Sequence, residues 1–190
     1  LNEELPEKEW DRWAEAKSFL REIIETIVLT LIIYGLLSLG FRNFRVIQTS
    51  MEPNFHDGQY LVVNKLAYHL HPPERGDVII FHPPTNPEKE YIKRLIGLPG
   101  EKVEIREGYV YIDGRRLEEP YISQVNRHGS WGPSVVGQDE YFVLGDNRNN
   151  SSDSRSWGML PHKNIFGKAW LSYWPPQEWG LVPHYIFVSG

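Results

Sequence analysis

Cysteine is absent from this chain, which excludes a thiol nucleophile, a cysteine-ligated metal and disulfides, and leaves the redox compartment open. Positive charge is also short: 20 Lys and Arg stand against 25 Asp and Glu. Residues 1–25 hold eight of those acids and four of the bases, so the rest of the chain is close to neutral. No global field would draw nucleic acid, and none is expected as a partner. There is no internal repeat and no His-Glu-x-x-His. The pair His69 and His71 has same-face strand spacing but no third ligand nearby, so no metal is expected, and no cofactor. What is present, 41% hydrophobic and 24% charged residues in 190, suits one globular domain with an appendage. The chain begins at Leu1 rather than Met, so further residues ahead of it are an open question.

The appendage is "IIETIVLTLIIYGLLSLG", residues 23–40, with Glu25 as its only charge. As a helix it spans about 27 Å, close to a ~30 Å hydrocarbon core. A cleavable leader would follow a positive segment. Here residues 1–22 are net negative and helical in pattern, which predicts an uncleaved anchor behind a cytoplasmic or interfacial helix. Lys8, Arg12, Lys17 and Arg21 precede the span, and Arg42 and Arg45 follow it. This excess places the N-terminus inside and residues 41–190 on the extracytoplasmic face of a single-pass protein. Trp10 and Trp13 fit either the membrane interface or a partner helix.

After residue 41 the period changes. Short β-branched and aromatic runs ("QYLVVNKLAY", "DVIIF", "EYIKRLIG", "KVEIREGYVYIDG", "EYFVLG", "KAWLSYW") alternate with Gly, Pro and Asn turns, which predicts a mainly β, barrel-like domain. Asp113-Gly114 reads as a hairpin turn. Residues 123–139 read as an exposed ribbon or loop, and an insert over about 106–138 has room only for a hairpin and ribbon.

Three stretches carry candidate chemistry. In "VIQTSMEPNF", Ser50 is either a turn serine or a nucleophile just outside the membrane. In "EYIKRLIGLPGE", strand alternation puts Lys93 on one face with Tyr91 and Leu95, and Ile92, Arg94 and Ile96 on the other. Lys93 is either a snorkelling lysine or a desolvated general base. In "GDNRNNSSDSRSWG", residues 145–158, calcium spacing fails, because counting from Asp146 puts Arg148 third and Trp157 twelfth. A side-chain network locking the turn, with a serine aimed inward, is the better reading.

Taken together and in order, "TSMEP", "GQYLVVNK", "RGDVIIF", "YIKRLIGLPGE", "YVYIDG", "EEPY" and "GDNRNNSSDSRSWG" resemble the bacterial-type signal peptidase I family of membrane-bound Ser/Lys peptidases, over about residues 19–175. The resemblance implies a serine endopeptidase of the cytoplasmic (inner) membrane that removes signal peptides from preproteins after Ala-x-Ala. It implies Ser50 as nucleophile, Lys93 as base, Ser151 orienting the lysine, Asp153 and Arg155 supporting the loop, and the Ser50 N–H donating to the oxyanion. Gln48 stands where many members carry a serine that completes the oxyanion hole. The substrate-wall positions correspond to Phe44, Val46, Met51, Phe55, Leu61, Ile80, Tyr91 and Ile92; Leu61 and Ile80 also read as core. Trp157, Trp170 and Trp174 are either core or contacts with the lipid bilayer. A Ser/Lys peptidase specialised for pilin or conjugation precursors shares every catalytic residue. A self-cleaving repressor with the same dyad would need a DNA-binding helix pair where the anchor stands. A non-enzymatic anchored β-domain is the reading from another class. Oligomeric state is not legible.

Overall fold

The computed structural model describes residues 7–126, 129–185 and 187, with side chains from residue 13 onward except residue 14. The side chains of Lys8, Trp10 and Arg12 therefore lie outside the described residues. The chain divides at Gly40 into two units, Leu1–Gly40 and Phe41–Gly190.

The first unit is one helix, α1 (Glu7–Gly40), continuous from the charged segment into the apolar one. Its stretch Glu15–Gly40 contains an 18-residue window of mean hydropathy 2.1 and is long and apolar enough to cross a membrane. The hydroxyls of Thr26, Thr30 and Ser38 donate to the carbonyls four residues back, at 2.7–2.8 Å. Each polar side chain is thus satisfied within the helix, as a lipid environment requires. Arg21 and Glu25 pair at 2.6 Å, one turn apart.

The second unit is built on antiparallel strands. They are β1 (Phe41–Arg45), β2 (Tyr60–Asn64), β3 (Val78–Phe81), β4 (Tyr91–Gly97), β5 (Lys102–Arg106), β6 (Tyr109–Ile112), β7 (Arg115–Arg116), β8 (Trp131–Val135), β9 (Glu140–Leu144), β10 (Leu160–Pro161), β11 (Ile165–Trp174) and β12 (Gly180–Leu181). The large sheet runs β1-β2-β11-β3-β4-β9-β10, with β12 on β11; a smaller one runs β7-β6-β5-β8. β11 is the longest strand at ten residues and makes the centre of the large sheet, pairing with β2, β3 and β12.

β4 is buried on both faces from Ile92 to Gly97, because the curled sheet encloses it. Ile92 packs with Val46, Met51, Phe55, Leu61 and Ile80. Ile96 packs with Val103, Phe142 and Leu144 under the small sheet. Leu95 packs with Ile79, Phe81 and Leu160.

Two local expectations change, and a third is narrowed. "KVEIREGYVYIDG" is not one run but β5, a turn at Glu107-Gly108 and β6. That turn has φ of 50° and 80°, as a two-residue hairpin demands, and Asp113-Gly114 repeats the geometry at 52° and 83°. Residues 131–135, within the stretch expected as an exposed ribbon or loop, form β8 and pair with β5, and Trp131 lies against Phe142 at 4.4 Å. His69 lies on a helical turn, α2 (Ala67–Leu70), so His69 and His71 do not share a strand face.

At Gly167 a Cβ would sit 2.6 Å from the carbonyl oxygen of Asn64 on β2. Gly167→Ala must therefore push β11 off β2, and about 1–3 kcal/mol of stability should be lost. Gly180→Ala, which meets open space, should change stability by less than about 0.5 kcal/mol. Urea unfolding of the detergent-solubilised chain, followed by tryptophan fluorescence, measures both.

Candidate active site

Ser50 sits in the loop between β1 and β2. Successive turns build that loop, with Glu52 N–H donating to Thr49 O and Phe55 N–H to Met51 O. Met51 and Phe55 are buried in the core and fix the turns from below. Ser50 is left 8% exposed at the surface of that core.

Lys93 reaches it from β4. Its Nζ donates to Ser50 Oγ at 2.7 Å and to Ile92 O at 2.8 Å, and it lies 5.4 Å from the centre of the Tyr91 ring. Lys93 is only 4% exposed. Burial lowers its pKa to about 8, opposed by the carboxylates of Asp153 and Asp146. Once the amine is neutral, the same 2.7 Å contact serves with the hydroxyl as donor, which is the geometry for activating a serine.

The 145–158 segment closes the site. Asn147 N–H donates to Ser50 O at 3.1 Å, Asn147 Nδ2 to Thr49 O at 3.1 Å and Asn150 Nδ2 to Thr49 Oγ1 at 3.0 Å. Gly145 makes this approach feasible: a Cβ there would meet Ser151 Oγ at 2.2 Å and Ser50 O at 2.5 Å. Asp153 holds the segment's shape. It accepts from Gly145 N–H at 3.1 Å, caps the short helix α3 (Ser154–Trp157) through Arg155 N–H, and forms a two-pronged pair with the Arg155 guanidinium at 2.8 Å. Arg155 in turn donates to Arg148 O at 2.8 Å. Ser151 Oγ is buried here with no hydrogen-bond partner, and so makes no hydrogen bond to Lys93 in this structure.

Two buried ion pairs beside the expected residues carry much of the geometry and were not expected from the sequence. Arg94 makes a two-pronged pair with Asp146 at 2.9 and 2.6 Å, both side chains essentially without solvent exposure. It also donates to Gly76 O at 2.9 Å and lies 4.2 Å from the Tyr121 ring and 5.1 Å from the Tyr185 ring. The available signal was an arginine between Ile92 and Ile96 on an apolar face, since a buried arginine requires an acid. A second buried pair joins Arg148 to Glu119 of "EEPY".

A cleft of about 1110 Å³ opens beside the Ser50–Lys93 contact, lined by β1 from Arg42 to Arg45, by Gln48, Thr49 and Ser50, and by Glu88 to Lys93. Of the substrate-wall expectations, Phe44, Tyr91 and Ile92 line it. Val46, Met51, Phe55, Leu61 and Ile80 lie in the core cluster that contains Ile92. Trp157 is half-buried and packs on the core, its ring centre 5.8 Å from that of Phe81. Trp170 and Trp174 are half exposed. Among the described residues one group has metal-ligand character, Glu74, Asp77 and His184. Lys168 Nζ, 2.5 Å from Asp77 Oδ1, already supplies a positive charge there. The group shares no residue with the Ser50 site.

Comparison with known proteins bears on this arrangement. The model of the family described as signal peptidase, peptidase S26 matches residues 20–174. The chain belongs to the signal peptidase family, peptidase S26. The probable signal peptidase I-1 of Synechocystis sp. is 41% identical over 179 residues, 90% of each chain. The signal peptidase I of Leptolyngbya laminosa is 44% identical over 178 residues, covering 87% of this chain and 85% of its own. The signal peptidase I of Bacillus amyloliquefaciens is 38% identical over 165 residues, covering 82% and 83%. The match spans α1 from Leu20 onward and nearly all of the β unit, so this S26 member is a peptidase by kinship.

Lys93 should lose its proton near pH 8, well below the ~10.4 of a free lysine. Carbon NMR of lysine-Cε-labelled chain should show one resonance with that midpoint, missing from Lys93→Met. A midpoint above about 10 would mean that burial leaves the amine unshifted.

Proposed function

We propose that the chain is a membrane-anchored signal peptidase that cuts preproteins after small residues, with Ser50 as nucleophile and Lys93 as general base. The observation that carries this is the 2.7 Å contact between a nearly buried lysine and a serine at the end of an open cleft. With a pKa near 8, about a tenth of Lys93 is neutral at pH 7, against roughly one in 2,500 for an ordinary lysine.

Neutral Lys93 takes the Ser50 proton as Oγ attacks the scissile carbonyl. The oxyanion that forms is met by the Ser50 N–H, with Gln48 next to it in the cleft. The tetrahedral intermediate collapses as Lys93 gives the proton to the leaving amine, freeing the mature chain and leaving an acyl ester on Ser50. Water then loses a proton to Lys93, attacks the ester and releases the signal peptide, restoring Ser50. Asp153 and Arg155 keep the 145–158 segment in place. Ser151, buried and unpartnered where Gly145 brings it close to Ser50, is the hydroxyl suited to steady the amine through this cycle.

The substrate enters as an added strand. β1 is the last strand of its sheet, and β4 pairs with β9 only from Arg94 onward, so Tyr91–Lys93 present a free edge. Both edges line the cleft. A peptide lying between them makes backbone hydrogen bonds and turns alternate side chains onto Phe44, Tyr91 and Ile92, which favours small residues at the first and third positions before the cut. Trp170 and Trp174, half exposed, and Trp179 and Leu181, more fully so, suit contact with lipid headgroups. The basic excess ahead of the span puts the N-terminus on the cytoplasmic side of the inner membrane and the β unit outside.

Three results should follow. Ser50→Ala and Lys93→Ala should each cut kcat for an Ala-x-Ala preprotein by at least about 10³-fold with the fold intact by circular dichroism, and Ser151→Ala should cost less. The kcat/KM should rise with pH through a midpoint near 8, since only the neutral amine accepts a proton. A midpoint near 6.5 would point to a histidine base. Protease added to spheroplasts should digest the chain after residue 41 and spare α1; the reverse pattern would invert the orientation.

A further inference from the structure

Two residues ahead of Ser50, Gln48 is held at φ 75°. That is the left-handed region, which glycine enters freely and a glutamine does not. Two other non-glycine residues in the described chain share the sign, Glu107 and Asp113, and each opens a two-residue hairpin turn that requires it. No such turn accounts for Gln48. Its amide N–H instead donates to Asp57 Oδ1 at 2.8 Å.

Asp57 stands on a fixed frame. Beside it, Gly58 N–H donates to Val46 O at 2.9 Å, and Val46 N–H donates to Gln59 O at 2.8 Å. The buried Gln59 accepts from His56 N–H at 2.9 Å and donates to Ser172 Oγ on β11 at 2.8 Å. Downstream of Gln48, the carbonyls of Thr49 and Ser50 are taken by Asn147. The peptide units leading to Ser50 are therefore gripped at both ends, by the 145–158 segment on one side and by the Asp57 carboxylate on the other.

We propose that Asp57 is a positioning residue for the oxyanion-binding backbone. By accepting the Gln48 N–H it holds Gln48 in the left-handed conformation, which aims the Ser50 N–H and the Gln48 side chain at the cleft. This rests on the reading of Ser50 as the nucleophile. Without the carboxylate, Gln48 relaxes toward negative φ and rotates the peptide units that follow. Lys93 itself is held by β4, so the base keeps its buried environment. Asp57 is exposed, so its replacement threatens the fold little.

The test uses the full chain in detergent and an Ala-x-Ala peptide. Asp57→Ala should lower kcat by about tenfold or more, with KM changed by less than about twofold and the pH midpoint unmoved. Asp57→Asn, which keeps an acceptor oxygen, should recover most of the loss. In a Gln48→Gly background, taken at its own baseline, Asp57→Ala should cost less than about threefold, because glycine holds the conformation unaided. Wild-type kcat in Asp57→Ala, an Asp57→Asn as slow as the alanine variant, or an undiminished cost in the glycine background would each overturn the proposal. If wild type and Ser50→Ala process the peptide equally, the reading of Ser50 falls, and this inference with it.

Discussion

Two cations sit side by side on one buried strand, and the site follows from how differently they are treated. Arg94 is given a carboxylate, a carbonyl and two aromatic rings, and it keeps its charge. Lys93 is given a hydroxyl and one carbonyl, with no carboxylate in direct contact, and burial favours its neutral form. Each is a consequence of strand alternation within a sheet that encloses both faces. A buried ion pair is a poor source of net stability, but breaking one by removing a partner costs about 3–5 kcal/mol. The Arg94–Asp146 pair therefore acts as a constraint on geometry: it fixes Asp146, and with it the segment that runs on to Ser151, against the strand that carries Lys93.

The same segment is tied to Ser50 by a lack of side chain. Gly145 brings Ser50 O and Ser151 Oγ to a point that a methyl group would occupy. Asp153 then accepts the Gly145 N–H and grips Arg155, so the loop is rigid where the chemistry needs a fixed distance. Preorganisation of this sort puts the cost of ordering into folding rather than into the reaction. Burial of Lys93 works in the same direction, raising the neutral fraction of the amine before a substrate arrives.

The open edges of the large sheet complete the device. β1 and the first residues of β4 leave backbone groups unpaired on either side of the cleft. Exposed edges are ordinarily a liability, since they invite pairing with other chains. In the proposed function the cleft turns that tendency toward one extended segment, held next to Ser50. The apolar helix α1 belongs to the same economy, because it suits an enzyme whose substrates lie at a membrane.

Local physics made much of this legible in the sequence. The length and hydropathy of residues 23–40 are enough for a spanning helix, and the β period after residue 41 is enough for a mainly β unit, because each depends only on neighbours along the chain. The ordered motifs named the family and pointed to Ser50 and Lys93. Asp113-Gly114 declared its turn because few residue pairs accept positive φ; Glu107-Gly108 hid because glutamate is not a usual turn former. What the sequence left open was non-local. That Arg94 finds Asp146, that Trp157 packs inward on Phe81 while Trp170 stays at the surface, and that Ser151 lies unpartnered beside Ser50 all depend on contacts between residues far apart in the chain. The lowered pKa of Lys93 is of the same kind. An alternating pattern shows which face a lysine takes, but only the enclosing sheet decides how much water reaches it.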